Sequence, residues 1–209
     1  LSGREFKSGD EWTFKLTADK GTPMPAQTVV KTDATSGNSQ SLSFGTIKYT
    51  LADVGNTYTY TIHETGSAEG VTNDPNATRI VTVTVNEGKD GKLDIVREEP
   101  KGEIVFTNTY DAKGSLTLEA SKTLKNKALE ADAFNFVLKD ENGETIQTVA
   151  NDADGNVAFS PLNYTLKDVG THVYTVSEVQ RENTEVTYDT TEYTVEVTVA
   201  DAGNGKLKV

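Results

Sequence analysis

The 209 residues carry a formal net charge of −12, with 35% hydrophobic residues, 25% charged residues and no cysteine. This length suits two small domains, the charge opposes binding to nucleic acid or an anionic membrane, and the missing thiols exclude disulfides and thiolate metal sites. No apolar run reaches the length of a membrane span, no signal peptide is legible, and position 1 reads as the middle of a pattern, so the chain is expected to be part of a larger protein.

The elements read as strands from end to end. "WTFKL" (Trp12 to Leu16), "TYTYTIHE" (Thr57 to Glu64) and "IVTVTV" (Ile80 to Val85) alternate at period two, with β-branched or aromatic side chains on one face. "GEIVFTNTY" (Gly102 to Tyr110) is predicted as the last strand of a first domain. "FNFVL" (Phe134 to Leu138), "VYTVSE" (Val173 to Glu178) and "YTVEVTV" (Tyr193 to Val199) continue the pattern. "KDGK" (Lys89 to Lys92), "ENGE" (Glu141 to Glu144) and "GNGK" (Gly203 to Lys206) supply tight hairpin turns. No amphipathic helix is apparent, and "LKDVG" suits a single turn. The class is all-β and sandwich-like.

The chain repeats itself. "FGTIKYTLADVG" (Phe44 to Gly55) matches "FSPLNYTLKDVG" (Phe159 to Gly170), "YTIHE" (Tyr60 to Glu64) matches "YTVSE" (Tyr174 to Glu178), and Trp12 falls on Phe134. Matches in constant order mean two homologous domains in tandem. The boundary is placed in "YDAKG", giving domains at 1–112 and 113–209, both acidic. Leu1 aligns with Leu124, so the first domain is expected to lack its first strand, and the second to lack its counterpart of Gly102 to Tyr110.

Three residue types stand out within this apolar text. Lys122 lies in the first strand of domain two, Glu64 and Glu178 lie at equivalent strand positions, and Asn108 lies in the last strand of domain one. An amine, a carboxyl and an amide inside a core are costly unless they pair or react. A desolvated lysine becomes a neutral nucleophile. A buried, protonated carboxyl can polarise the asparagine carbonyl and pass protons to departing ammonia. The product is a Lys–Asn amide, formed with no cofactor, and fixed placement supplies the effective concentration.

The "K-T-L…F-N-F" entry, the "F-x-x-[IL]-x-Y-T-L-x-D-V-G" motif, the "Y-T-[IV]-x-E" strand and the "F-T-N-T-Y" end resemble the streptococcal pilin isopeptide-linkage domain, one of the Cna B-type domains of Gram-positive surface proteins. The resemblance implies two tandem immunoglobulin-like β-sandwiches of reversed topology. It implies cross-linking roles for Lys122 and Asn108 and proton-shuttle roles for Glu64 and Glu178. Because of the missing strands, Asn108 is expected to pair with a lysine before residue 1 and Lys122 with an asparagine after residue 209. No cross-link is expected within either domain of these 209 residues.

Other sites are weaker. "NDADGN" (Asn151 to Asn156) lacks the downstream bidentate glutamate of a calcium loop and reads as a turn. His63 and His172 do not form a zinc motif, so no metal is expected. The implied function is a structural stalk of a cell wall-anchored pilus or adhesin, with neighbouring repeats of the same protein as partners. A binding module for a host glycan or matrix protein is the alternative. No enzymatic turnover, cofactor, nucleic acid or membrane insertion is expected.

Overall fold

The computed structural model describes residues 1–100, 102–182 and 185–209. The chain divides into two compact units, Leu1–Asp111 and Ala112–Val209.

The first unit contains β1 (Trp12–Ala18), β2 (Val29–Lys31), β3 (Thr57–Gly66), β4 (Val71–Thr72), β5 (Thr78–Glu87), β6 (Leu93–Glu99) and β7 (Thr109–Tyr110). Five of these form an antiparallel sheet in the order β2-β1-β3-β5-β6, while β4 pairs with β7. Period-two alternation decides which face is buried. In β3, Tyr60, Ile62 and Glu64 all point inward; in β5, Val81, Val83 and Val85 do so. At the turn into β6, Asp90 and Gly91 adopt φ of 57° and 72°, the left-handed geometry that closes a hairpin.

The second unit contains β8 (Lys113–Leu116), β9 (Glu119–Ser121), β10 (Asn135–Lys139), β11 (Thr145–Ala150), β12 (Asn156–Ala158), β13 (Leu162–Thr165), β14 (Gly170–Glu178), β15 (Glu192–Asp201) and β16 (Leu207–Lys208). Its main sheet runs β11-β10-β14-β15-β16, which is the first unit's order carried over strand for strand. The ribbons β8–β13 and β9–β12 make up the remaining ladders. Phe136, Leu138 and Val176 of the main sheet, with Phe134 just ahead of β10, meet Val157 and Phe159 in one core.

The two units differ where a ladder partner differs. "LNYT" forms β13 because β8 bonds to it over the register Leu162↔Leu116 to Thr165↔Lys113. The matching residues Ile47 to Thr50 form no strand in the first unit. Their apolar side chains still pack on the core, together with Phe44 and Tyr49. The expected strand Gly102 to Tyr110 is likewise corrected to the two residues of β7. Ile104 and Phe106 bury their side chains against the same core without a ladder. Apolar pattern fixes which side chains go inside; strand identity needs a neighbour for the backbone.

The repeated "Y-T-L-x-D-V-G" motif has a local job in both units. Each copy forms one 3-10 turn, at Leu51–Asp53 and Leu166–Asp168. Asp53 and Asp168 each accept the N–H of the preceding threonine at 2.7 Å, closing a capping box.

Candidate functional site

In the first unit, Glu64 enters the core because it follows Tyr60 and Ile62 on the inward face of β3. Its ladder partner on β1 is Phe14. The side chain is 3% exposed. Oε1 accepts a hydrogen bond from Asn108 Nδ2 at 2.9 Å, whereas the buried Oε2 has no hydrogen-bond partner among the described residues. Burial raises the Glu64 pKa, a shift that the Asn108 contact only partly offsets.

Asn108 sits immediately before β7 and is also buried. Its main-chain carbonyl accepts the Ser2 N–H at 2.8 Å, and Tyr110 N–H donates to the Ser2 carbonyl at 2.8 Å. Ser2 therefore pairs with Thr109 in parallel. The Asn108 Oδ1 accepts the main-chain N–H of Asp74 at 2.7 Å. An N–H can only donate, so this contact fixes which end of the amide is oxygen. Nδ2 then faces the glutamate.

In the second unit, Lys122 directly follows β9, and its N–H extends the ladder to the Gly155 carbonyl at 2.7 Å. Gly155 has φ of 88°, and a Cβ there would lie 2.2 Å from the Lys122 carbonyl oxygen. Only glycine allows this close approach. Glu178 ends β14 and faces Phe136, the counterpart of Phe14. Lys122 Nζ lies 2.9 and 2.8 Å from the two Glu178 oxygens, and 4.1 Å from the centre of the Phe134 ring. The two side chains are 10% and 4% exposed. A desolvated ion pair over an aromatic face is a high-stakes arrangement, tolerable only while both charges are present.

The structure thus joins Glu64 to Asn108 and Lys122 to Glu178, one pair per unit. Several contributors escape a residue-by-residue reading. The Asp74 carboxylate accepts Thr107 N–H at 2.9 Å, Asn76 N–H at 2.8 Å and Arg79 Nη2 at 2.8 Å. These contacts, the Thr107 N–H foremost, hold its pKa below the ordinary carboxylate value. Arg79 also donates to the Val105 carbonyl at 2.9 Å and lies 4.5 Å over the Phe106 ring. The signal was present in the repeat: "VTND" ends at Asp74 and "VTYD" at Asp189. Asn73 was also silent, yet its Oδ1 accepts the Trp12 indole N–H at 2.9 Å, and its Nδ2 donates to the Gly66 carbonyl at 2.7 Å.

The "NDADGN" segment is a turn. Asp152 accepts the N–H groups of Asp154 and Asn156 and the Asn156 side-chain amide, so its oxygens serve the loop itself. His63 Nδ1 pairs with Thr78 Oγ1 at 3.0 Å, and His172 Nε2 with the Asp168 carbonyl at 2.7 Å.

Two homologous β-sandwiches with acid, amide and amine groups enclosed in their cores define a tandem all-β protein with buried polar centres. The family model described as FctA: Spy0128-like isopeptide containing domain matches residues 1–111 and again 118–209, and the chain belongs to that family. Among solved structures, the chain is similar to a major pilin protein from Streptococcus pyogenes, with 17% identity, a TM-score of 0.30 and coverage of 94% of this chain and 87% of that one. No curated protein matches the chain.

Proposed function

We propose that this chain is a structural shaft or stalk module of an extracellular, cell wall-anchored Gram-positive pilus or adhesin, stiffened by Lys–Asn amides inside its domains. The observation that carries this reading is the Glu64–Asn108 pair: a buried amide bonded to a buried carboxyl whose second oxygen has no hydrogen-bond partner among the described residues. Family membership supports the same reading.

The chemistry balances without a cofactor. A lysine ammonium gives its proton to Glu64, leaving a neutral amine and a carboxylic acid, the form that burial favours. The amine attacks Cγ of Asn108, and a C–N bond forms. A proton passes from the attacking nitrogen through Glu64 to Nδ2, the C–Nδ2 bond breaks, and ammonia leaves. Glu64 ends as the carboxylic acid, keeping the proton first taken from the lysine, and each site reacts once, so the protein is not an enzyme. Ser2 runs parallel beside Thr109, so a lysine on a strand ahead of Leu1 is delivered along Asn108. Lys122 and Glu178 form the complementary half, suited to an asparagine on a strand following Val209.

A covalent link between first and last strands carries tension past the hydrogen-bond ladder between domain ends. In a chain without cysteine it does the stapling that disulfides do elsewhere. Neighbouring repeats of the same protein are the partners of such a module.

The test uses the repeat itself. Residues 113–123, fused directly ahead of Leu1, place a copy of Lys122 at the aligned position. Intact mass of the folded fusion falls by one ammonia, and Asn108→Ala or Glu64→Ala abolishes the loss. A wild-type fusion that keeps its full mass rejects the cross-linking role.

A further inference from the structure

We infer that Asp74 is a working part of the first domain's centre: its main-chain N–H polarises the Asn108 carbonyl, and its carboxylate positions the segment that carries Asn108. This rests on the cross-linking reading above and changes its division of labour. A single glutamate need not activate the carbonyl and serve the leaving nitrogen at once. Glu64 Oε1 lies on Nδ2, the nitrogen that departs. The carbonyl oxygen, where negative charge develops during attack, lies instead on the Asp74 N–H at 2.7 Å. A fixed main-chain donor aimed at the developing oxyanion stabilises the transition state without reorganising.

Asp74 grips the segment at two adjacent residues. Its N–H holds the Asn108 side chain, and its Oδ2 holds the Thr107 N–H at 2.9 Å. Arg79 completes the clamp by bonding Asp74 Oδ2 and the Val105 carbonyl while covering Phe106. Residues 102–107 belong to no strand, so these side-chain contacts do the aligning that a ladder would otherwise do. Arg79 is 24% exposed and Asp74 11%, so the clamp closes the edge of the core.

The second repeat keeps an aspartate at the matching place. Asp189 follows "VTY", and its Oδ1 now accepts the Thr191 N–H at 2.9 Å and hydroxyl at 2.6 Å. Local capping of this kind is what the Asp74 carboxylate also does with Asn76, at 2.8 Å. We assign Asp189 the same positioning role toward an incoming asparagine strand.

Two measurements test the assignment. In the 15N-labelled 209-residue chain, the Asp74 amide proton resonates downfield and moves upfield in Asn108→Ala, while Glu64→Gln leaves it near its wild-type position. An Asp74 resonance unaffected by Asn108→Ala overturns the contact. In the fusion carrying residues 113–123 ahead of Leu1, Asp74→Ala slows ammonia loss by about a hundredfold, the usual effect of misplacing a reacting group. Asp74→Asn retains most of the rate, because its amide oxygen still accepts the Thr107 N–H. Trp12 emission verifies that each variant is folded. A rate unchanged in folded Asp74→Ala overturns the positioning role. If the wild-type fusion itself fails to lose ammonia, the cross-linking reading falls, and the resonance experiment still decides the Asp74 contact.

Discussion

Asn108 and Glu64 are 44 residues apart in sequence and joined by a 2.9 Å hydrogen bond inside the core of the first domain. The bond satisfies one carboxyl oxygen and leaves the other buried, with no hydrogen-bond partner among the described residues. A group in that position favours its neutral form, and this sets the first prediction.

Burial raises the folded-state pKa of Glu64 above its ordinary value of 4.5. The stability this contributes is complete below 4.5 and is lost as pH rises through the raised value. Asp10 and Asp74 run the other way: hydrogen bonding, led by Arg4 and by the Thr107 N–H respectively, lowers their pKa below 3.8, so their contribution is lost on acidification. Glu64→Gln removes only the first effect. Urea unfolding followed by Trp12, the single tryptophan and 1% exposed, reports the first domain. The wild type and Glu64→Gln have similar stability near about pH 4, and the variant gains relative to wild type toward about pH 7. Parallel curves across that range defeat the prediction.

Lys122→Met leaves the Glu178 charge buried with no counter-ion. Loss of one partner of such a pair costs about 3–5 kcal/mol. Lys122→Met combined with Glu178→Leu recovers most of this, because both charges are gone. Hydrogen exchange at Leu138, fully buried in the second core, measures the change. Equal losses in the single and double variants contradict it.

Gly155→Ala forces a Cβ to within 2.2 Å of the Lys122 carbonyl oxygen at a φ of 88°. Strain of this kind costs about 1–3 kcal/mol before the clash is counted. The second domain loses stability, and exchange of the Lys122 amide, bonded to the Gly155 carbonyl, accelerates. A variant with wild-type protection at Lys122 refutes the close approach.

Asn73→Ala strands the Trp12 indole N–H, at a cost of about 1–3 kcal/mol for a buried donor left unpaired. The second domain solves the same packing problem differently: Phe134 and Tyr188 meet edge-on, with centroids 5.7 Å apart. Importing that pair as Trp12→Phe with Asn73→Tyr is less destabilising than the sum of the single changes. A double-mutant cycle read by circular dichroism gives the coupling. Strict additivity rules out the exchange of a polar tie for an aromatic contact.

The reading from sequence and the structure part company at identifiable places. Period-two alternation in "TYTYTIHE" places Tyr60, Ile62 and Glu64 on one face, so the inward direction of Glu64 was legible before any fold was known. The hairpin turns and the single 3-10 turn in "LKDVG" follow from equally local signals. Strand identity at Phe44 to Thr50 and at Gly102 to Asn108 was not legible, because a strand depends on a neighbour that local sequence does not specify.

The 209-residue sequence by itself determined the all-β class, the tandem repeat and the residue types enclosed in each core. It did so because side-chain alternation and turn chemistry are properties of contiguous residues. Only the tertiary structure decided that Glu64 meets the Asn108 nitrogen rather than its oxygen, that the oxygen belongs to the Asp74 N–H, and that Lys122 closes on Glu178. Those choices depend on distances between segments 34 to 56 residues apart and on a main-chain donor, which every residue but proline carries and no sequence pattern marks.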